Sequence, residues 1–172
     1  MNPKKILRVL DEAGCSKEVI MHSQNVYEIA MKITRKLEDA GITVNKDLVT
    51  MGALLHDIGR SQTHGIRHAI EGAEIARQRG FPPAVVSIIE HHIGAGIDKE
   101  EAQVLGLPPK EYIPQTLEEE IVAHADNLSG IHDITVLINR FQQKGNEKGA
   151  DRLRKLHNKL EKLCHCNLNE LL

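Results

Sequence analysis

The chain has no tryptophan, and only two tyrosines and two phenylalanines among its 172 residues. Leucine, isoleucine, valine and alanine must therefore fill the core, and the aromatic platforms on which single-stranded nucleic-acid binders stack bases are lacking. An excess of one charge is also missing. Lys+Arg number 22 against 24 Asp+Glu, interspersed, for a formal net charge of −2, so there is no strong nucleic-acid signal. No apolar run approaches the length of a membrane span, and residues 1–10 hold no signal-peptide core, which speaks against a membrane partner. Three cysteines without a secretion signal fit a reducing cytoplasm better than a disulfide framework, so a cytoplasmic location is the expectation. The length suits one domain with a sizeable core.

What the chain has in excess is histidine, ten residues of it. Histidine is the commonest metal ligand and the usual proton carrier near neutral pH, so the excess points to a metal site. The most informative stretch is His56-Asp57-Ile58-Gly59, which closes the apolar run Ala53-Leu54-Leu55. It has an echo in His91-His92-Ile93-Gly94, which follows Val86, Ile88 and Ile89. Core packing does not account for two helices that each end in a pair of metal-type ligands followed by Ile-Gly.

The periodicity is helical nearly throughout. Asn2-Pro3 opens a short helix that Gly14 ends. Ser16 caps a helix running to about Ala40, with the stripe Val19, Val26, Ile29, Ile33 and Leu37. A third helix covers about 46–57, with Gly59 as its terminating position. A polar loop 60–65 leads to a helix over about 67–79, and Pro82-Pro83 starts another, with Phe81 stapled onto Val85 or Val86. The Gly- and Pro-rich stretch 94–115 leaves space for one short helix near 99–105. Thr116-x-x-Glu119 reads as a capping box opening a long helix through about Gln143. Lys144-Gly145-Asn146 breaks it before a last amphipathic helix with Leu153, Leu156, Leu160 and Leu163.

The expectation is an all-α fold, a single compact bundle of roughly six to eight helices with a C-terminal helical extension. Residues 1–15 form a short helix packing on the domain, 16–145 the metal-binding domain, and 146–172 a C-terminal helix of the same fold. The leucine stripe of that helix can face its own domain or a second copy of the chain, as in a homo-oligomer.

Successive residues on a helix point about 100° apart, so His56 and Asp57 can aim at one point only where the helix ends. The same holds for His91 and His92. His22 points with the stripe of its helix, three residues after Val19 and four before Val26. Asp126 follows Val122 by four, and a carboxylate facing a core needs a partner, for which a metal ion serves. His68 starts a helix, and Gly72 one turn on leaves room beside it. The candidate ligands are thus His22, His56, Asp57, His68, His91, His92 and Asp126. Imidazoles and carboxylates without cysteine suit Fe, Mn, Co, Ni or Zn as divalent ions. Seven ligands exceed what one metal with an open position needs, and match two metals sharing a bridging carboxylate.

In this order, His then His-Asp then Asp, the chain resembles the HD-domain metal-dependent phosphohydrolase superfamily, and His56-Asp57-Ile58-Gly59 is similar to its HDIG signature. The likeness covers roughly His22 to Arg140. It implies that His22, His56, Asp57 and Asp126 hold a first metal. His68, His91 and His92 resemble the three extra histidines of binuclear members, with Asp57 bridging. His68-x-x-x-Gly72-Ala73 followed by a His-His pair resembles the binuclear branches that include HD-GYP phosphodiesterases. The Gly-Tyr-Pro motif of that subgroup is missing, and Gly94-Ala95-Gly96-Ile97 stands in its place. Arg60 replaces the lysine often found after the signature, keeping the charge and adding a planar fork for phosphate.

The activity implied is cleavage of a phosphoester or phosphoanhydride of a small, nucleotide-like substrate through a metal-activated hydroxide. Asp57 and Arg60 are the catalytic candidates, and Arg60, Arg67, Lys99, Lys110 and Arg140 are candidate substrate contacts. The alternatives are a mononuclear 5′-nucleotidase-type enzyme using His22, His56, Asp57 and Asp126 alone, or a non-catalytic, metal-stabilised nucleotide-binding module. Of the remaining histidines, His64 reads as solvated, His124 as a core residue, His132-Asp133 as a helix-surface pair and His157 as surface. Cys164-His165-Cys166 lacks the spacing of structural zinc ligands.

Overall fold

A computed structural model describes residues 2–172. Its helices are α1 (Pro3–Glu12), α2 (Lys17–Asp39), α3 (Lys46–Leu55), α4 (His68–Gln78), α5 (Pro83–His91), α6 (Lys99–Val104), α7 (Leu117–Leu128), α8 (Ile134–Gln143) and α9 (Glu147–Cys164). Short 3-10 turns occupy Ile58–Ser61 and Leu168–Leu171. The fold is all-α, as expected. Among the described residues the only strand-like pairing is one antiparallel bridge between Ile97 and Tyr112. Among the described residues no helix is long and apolar enough to cross a membrane.

Local chemistry sets the boundaries. Asn2, Ser16 and Asn45 each cap the helix that follows by accepting from a backbone N–H of its first turn. Asp98 and Glu101 form a reciprocal capping box on α6. The sequence expectation fails between 116 and 143, where one long helix is in fact two. Ser129 is extended and Gly130 has φ +78°, a backbone that ends a helix and that glycine adopts without strain. His132 and Asp133 therefore lie in the connecting turn rather than on a helix surface, and Asp133 caps α8 by accepting from Thr135 N.

Two apolar clusters meet at α3. Val49 and Ala53 face a cluster built from α2, α7, α8 and α9, while Met51, Leu54 and Leu55 face one built from α1, α2, α4 and α5. A helix apolar on all sides is a buried one. Its C-terminal end therefore delivers His56 and Asp57 to the middle of the molecule, where they are 0% and 3% exposed.

Gly59 does not end the helix through a left-handed backbone, since its φ is not positive. A Cβ at Gly59 would stand 1.9 Å from His68 O and 2.5 Å from Gly72 N. The residue is glycine because the 58–61 turn lies directly on the start of α4. That contact fixes His68 relative to Asp57.

Leu153, Leu156 and Leu160 of α9 are buried against α2, α7 and α8, so the leucine stripe faces its own domain. His157 lies on this inner side too. It is buried, contrary to the surface expectation, and shares a 2.9 Å hydrogen bond with His124.

Candidate metal centre

Three helix ends and two helix faces converge on Asp57. On one side His22 from α2 and His56 stand with Nε2 atoms 3.2 Å apart, and Asp126 Oδ1 of α7 lies 3.0 Å from His22 and 3.7 Å from His56. On the other side His68 Nε2 and His92 Nε2 are 3.1 Å apart, and lie 3.1 and 3.6 Å from Asp57 Oδ1. Asp57 Oδ2 faces the first group, 3.7 Å from both His22 and His56. Two His/Asp groups, His22-His56-Asp126 and His56-Asp57-His92, have ligand atoms within 4.8 Å of one another and can hold one or two divalent ions.

Proton bookkeeping tests whether a cation fits. Nδ1 of His56, His68 and His92 lies 2.8, 2.8 and 2.7 Å from the carbonyl oxygens of Ala53, Gly65 and Ile89. A carbonyl only accepts, so Nδ1 carries the proton and the neutral ring presents a lone pair at Nε2. In the His68–His92 pair two such lone pairs point at each other. Asp57 Oδ1 is buried and accepts no hydrogen bond of acceptable geometry. Facing lone pairs and an orphaned carboxylate oxygen are what a divalent cation satisfies.

The electrostatics agree. Burial alone would raise the Asp57 pKa, but the imidazoles crowded against it, His56 foremost, hold it far below the usual carboxylate range. Burial would likewise raise Asp126, yet the bond to His22 keeps it low. That same bond raises His22 above its ordinary value, whereas burial pushes His56 down. The centre keeps its carboxylates charged at neutral pH.

His91 is the one candidate ligand outside the converging groups. Its Nδ1 lies 2.9 Å from Glu119 Oε2 and 3.3 Å from Ser87 Oγ, and its Nε2 lies 3.9 Å from Glu90. Arg60 donates from Nε to Asp57 Oδ2 at 2.6 Å and from Nη1 to His64 O at 3.3 Å. With Glu18, Val19, His22 and Asp57, Arg60 lines a mouth of about 270 Å³. Of the other candidate contacts, Lys110 pairs with Glu90 at 2.8 Å and Arg67 with Glu71 at 3.5 Å, while Lys99 and Arg140 are exposed on α6 and α8.

Two polar residues at the centre escape a reading of the sequence. Glu119 fits the capping-box pattern, and Thr116 does accept from its N–H, but its carboxylate is buried and bonds His91, Ser87 and Gln115 N. Asn127 donates to Gly94 O at 2.8 Å, tying α7 to the turn after His92. Only the i+1 position of Asn127 beside Asp126 hinted at it. Cys164 and Cys166 stand with sulfurs 2.7 Å apart at the end of α9, and among the described residues no group of three metal-type ligands includes them.

The HD-domain family model matches residues 19–131. A protein of Methanocaldococcus jannaschii described as "Uncharacterized protein MJ0778" is 53% identical over 128 residues, covering 74% of this chain and 75% of that protein. The tRNA (cytidine(56)-2'-O)-methyltransferase of Thermoplasma volcanium is 44% identical over 180 residues, covering 98% of this chain and 52% of that protein, so this chain spans about half its length. Among solved structures, the HD domain of the L. monocytogenes phosphodiesterase PgpH in complex with cyclic-di-AMP superposes with a TM-score of 0.57 at 18% identity, over 94% of this chain and 98% of that one. At that identity the likeness is one of fold.

Proposed function

Since this chain belongs to the HD-domain family, we propose that its His/Asp centre hydrolyses a phosphoester or phosphoanhydride of a small nucleotide-like substrate. The observation that carries this is Asp57 lying between two histidine groups, with one oxygen toward each. His22, His56, Asp57 and Asp126 would hold one ion. Asp57, His68 and His92 would hold a second, with His91 as a further ligand through Nε2, because Glu119 occupies its Nδ1 as carbonyls occupy Nδ1 of His56, His68 and His92. Bound ions at such a site supply an activated water and neutralise charge on the phosphoryl oxygens.

The chain's own groups do the rest. The carbonyls of Ala53, Gly65 and Ile89 fix the tautomers of His56, His68 and His92. Arg60 holds Asp57 through Nε and keeps its guanidinium charge at the mouth, where a non-attacked phosphate oxygen arrives. Asp126 and Asp57 stay ionised.

The test is anaerobic purification, elemental analysis and a panel of mononucleotides, dinucleotides and bis-p-nitrophenyl phosphate with Mn²⁺ or Fe²⁺. Less than one transition metal per chain together with an intact panel removes the proposal. Tight nucleotide binding without turnover in metal-replete protein would favour the non-catalytic module. A second reading, that the phosphoester belongs to an RNA, is supported by the likeness to a protein named for acting on tRNA. Cleavage of a tRNA transcript in preference to the mononucleotides would favour it.

A further inference from the structure

Beside the centre lies a second, larger concavity of about 720 Å³, between α6 on one side and the α8–α9 turn on the other. Small-molecule sites are commonly about 300–1,000 Å³. Its apolar lining comes from Ile66, Ile93, Ile97, Val104, Leu105 and Phe141. Ile93 directly follows His92, and Ile66 comes two residues before His68. Neighbouring Cα atoms are about 3.8 Å apart, so two residues of the cleft wall lie within about 8 Å, backbone to backbone, of candidate ligands.

Three further observations say what such a cleft takes. Val104 and Leu105 at its lip are 88% and 45% exposed, two adjacent large apolar side chains left in water at the mouth of an apolar cleft. The charges around it nearly cancel: Lys144 and Lys148 stand against Glu100, Glu101 and Glu147, and Lys148 already binds Asp98 and Glu100 while Arg152 binds Glu101. The cleft therefore suits a neutral group and not a phosphate. It is also preformed, because Arg152 donates to Gly96 O, Lys148 clamps the first turn of α6, and a Cβ on Gly94 would come within 3.3 Å of the Phe141 ring.

We propose that this cleft receives the flat, neutral part of the substrate, a nucleobase, while the phosphate lies at the His/Asp centre. The proposal rests on the phosphoester function proposed above. Phe141 and the isoleucines give the base apolar faces. It also makes α8 and α9 part of the substrate site instead of an appendage.

The test uses nucleosides, which carry no phosphate and call for no metal. Methyl-labelled protein is titrated with adenosine, guanosine, cytidine and uridine, and separately with ribose 5-phosphate. At least one nucleoside should shift the methyl resonances of Ile66, Ile93, Ile97, Val104 and Leu105, and ribose 5-phosphate should leave them in place. Val104→Asp, an exposed position that leaves the core intact, should weaken nucleoside binding about tenfold, because it puts a charge at an apolar lip. Val136→Asp, at an exposed apolar residue of α8 outside the cleft lining, should not. No shift with any nucleoside, or equal weakening by both variants, overturns the proposal. So do cleft shifts that follow protein concentration without ligand, which would mean that a second copy fills it. Hydrolysis of the phosphoester panel is read independently, so either idea can fail alone.

Discussion

Oδ1 of Asp57 lies 3.1 Å from Nε2 of His68, on the side of the carboxylate away from Arg60, which binds Oδ2. One carboxylate thus presents separate oxygens to separate histidine groups, and the two groups should not be equally sensitive to mutation. Asp57→Asn removes the shared charge and should strip both ions, whereas His68→Ala should leave the ion at His22, His56 and Asp126 in place. Elemental analysis after dialysis should read near zero for the first variant and one metal per chain for the second, against two in the parent. Equal counts in all three proteins would end the binuclear assignment.

Glu119 provides a second handle on the same question. Burial alone would raise its pKa, yet the bond from His91 keeps it low, so it is a carboxylate at neutral pH. Outer partners of metal-bound histidines are worth about 10- to 100-fold in metal affinity. Glu119→Ala should therefore weaken retention of one of the two ions by about that factor, measured by competition with a chromophoric chelator. Unchanged affinity for both ions would mean that His91 is held by Glu119 for structural reasons and ligates nothing.

The glycine of the signature should be irreplaceable for a steric reason. The atoms that a Cβ at Gly59 would meet, His68 O and Gly72 N, are backbone and cannot rotate away. Gly59→Ala should cost about 2–3 kcal/mol, which for a domain of this size lowers Tm by roughly 4–12 °C. Because the 58–61 turn and α4 must separate, the ion on the His68 side should be lost as well. A variant with parental Tm and metal content would show that the turn lies further from α4 than described.

How much of this was legible in the sequence depended on the kind of signal. Helical stripes placed His22 and Asp126 inward, and the apolar run into His56-Asp57 announced a buried helix end, so the convergence of these four was readable. His91 was not readable in the same way. Its neighbour His92 turns toward Asp57, and one residue of helix rotates the next side chain by about 100°, toward Glu119. Glu119 was hidden because the capping-box pattern accounted for it fully. The break at Ser129-Gly130 was missed because the apolar spacing continues across it, although Gly130 followed three residues later by a capping Asp133 was the visible sign. His157 looked like a surface residue because its partner His124 is 33 positions away, and periodicity carries no information about pairing over that distance.

That buried pair sets an acid limit on the fold. Burial first, and then the nearby His157, hold the His124 pKa down at about 3 against an ordinary 6.5. In the unfolded chain His124 takes up its proton as pH falls through the ordinary value, while in the folded chain it stays neutral down to the lowered one. Between the two values the unfolded state binds more protons, so this contribution to stability is complete above the ordinary value and is lost as pH falls toward 3. The slope from one such group approaches about 1.4 kcal/mol per pH unit. Urea unfolding of chelator-treated protein should show the midpoint falling between about pH 6.5 and pH 4.5, and His124→Leu should flatten that fall whatever it does to stability at neutral pH. The substitution is confined to the buried His124–His157 pair, so the comparison reports on that pair. An equal slope in parent and variant would place the acid sensitivity elsewhere in the molecule.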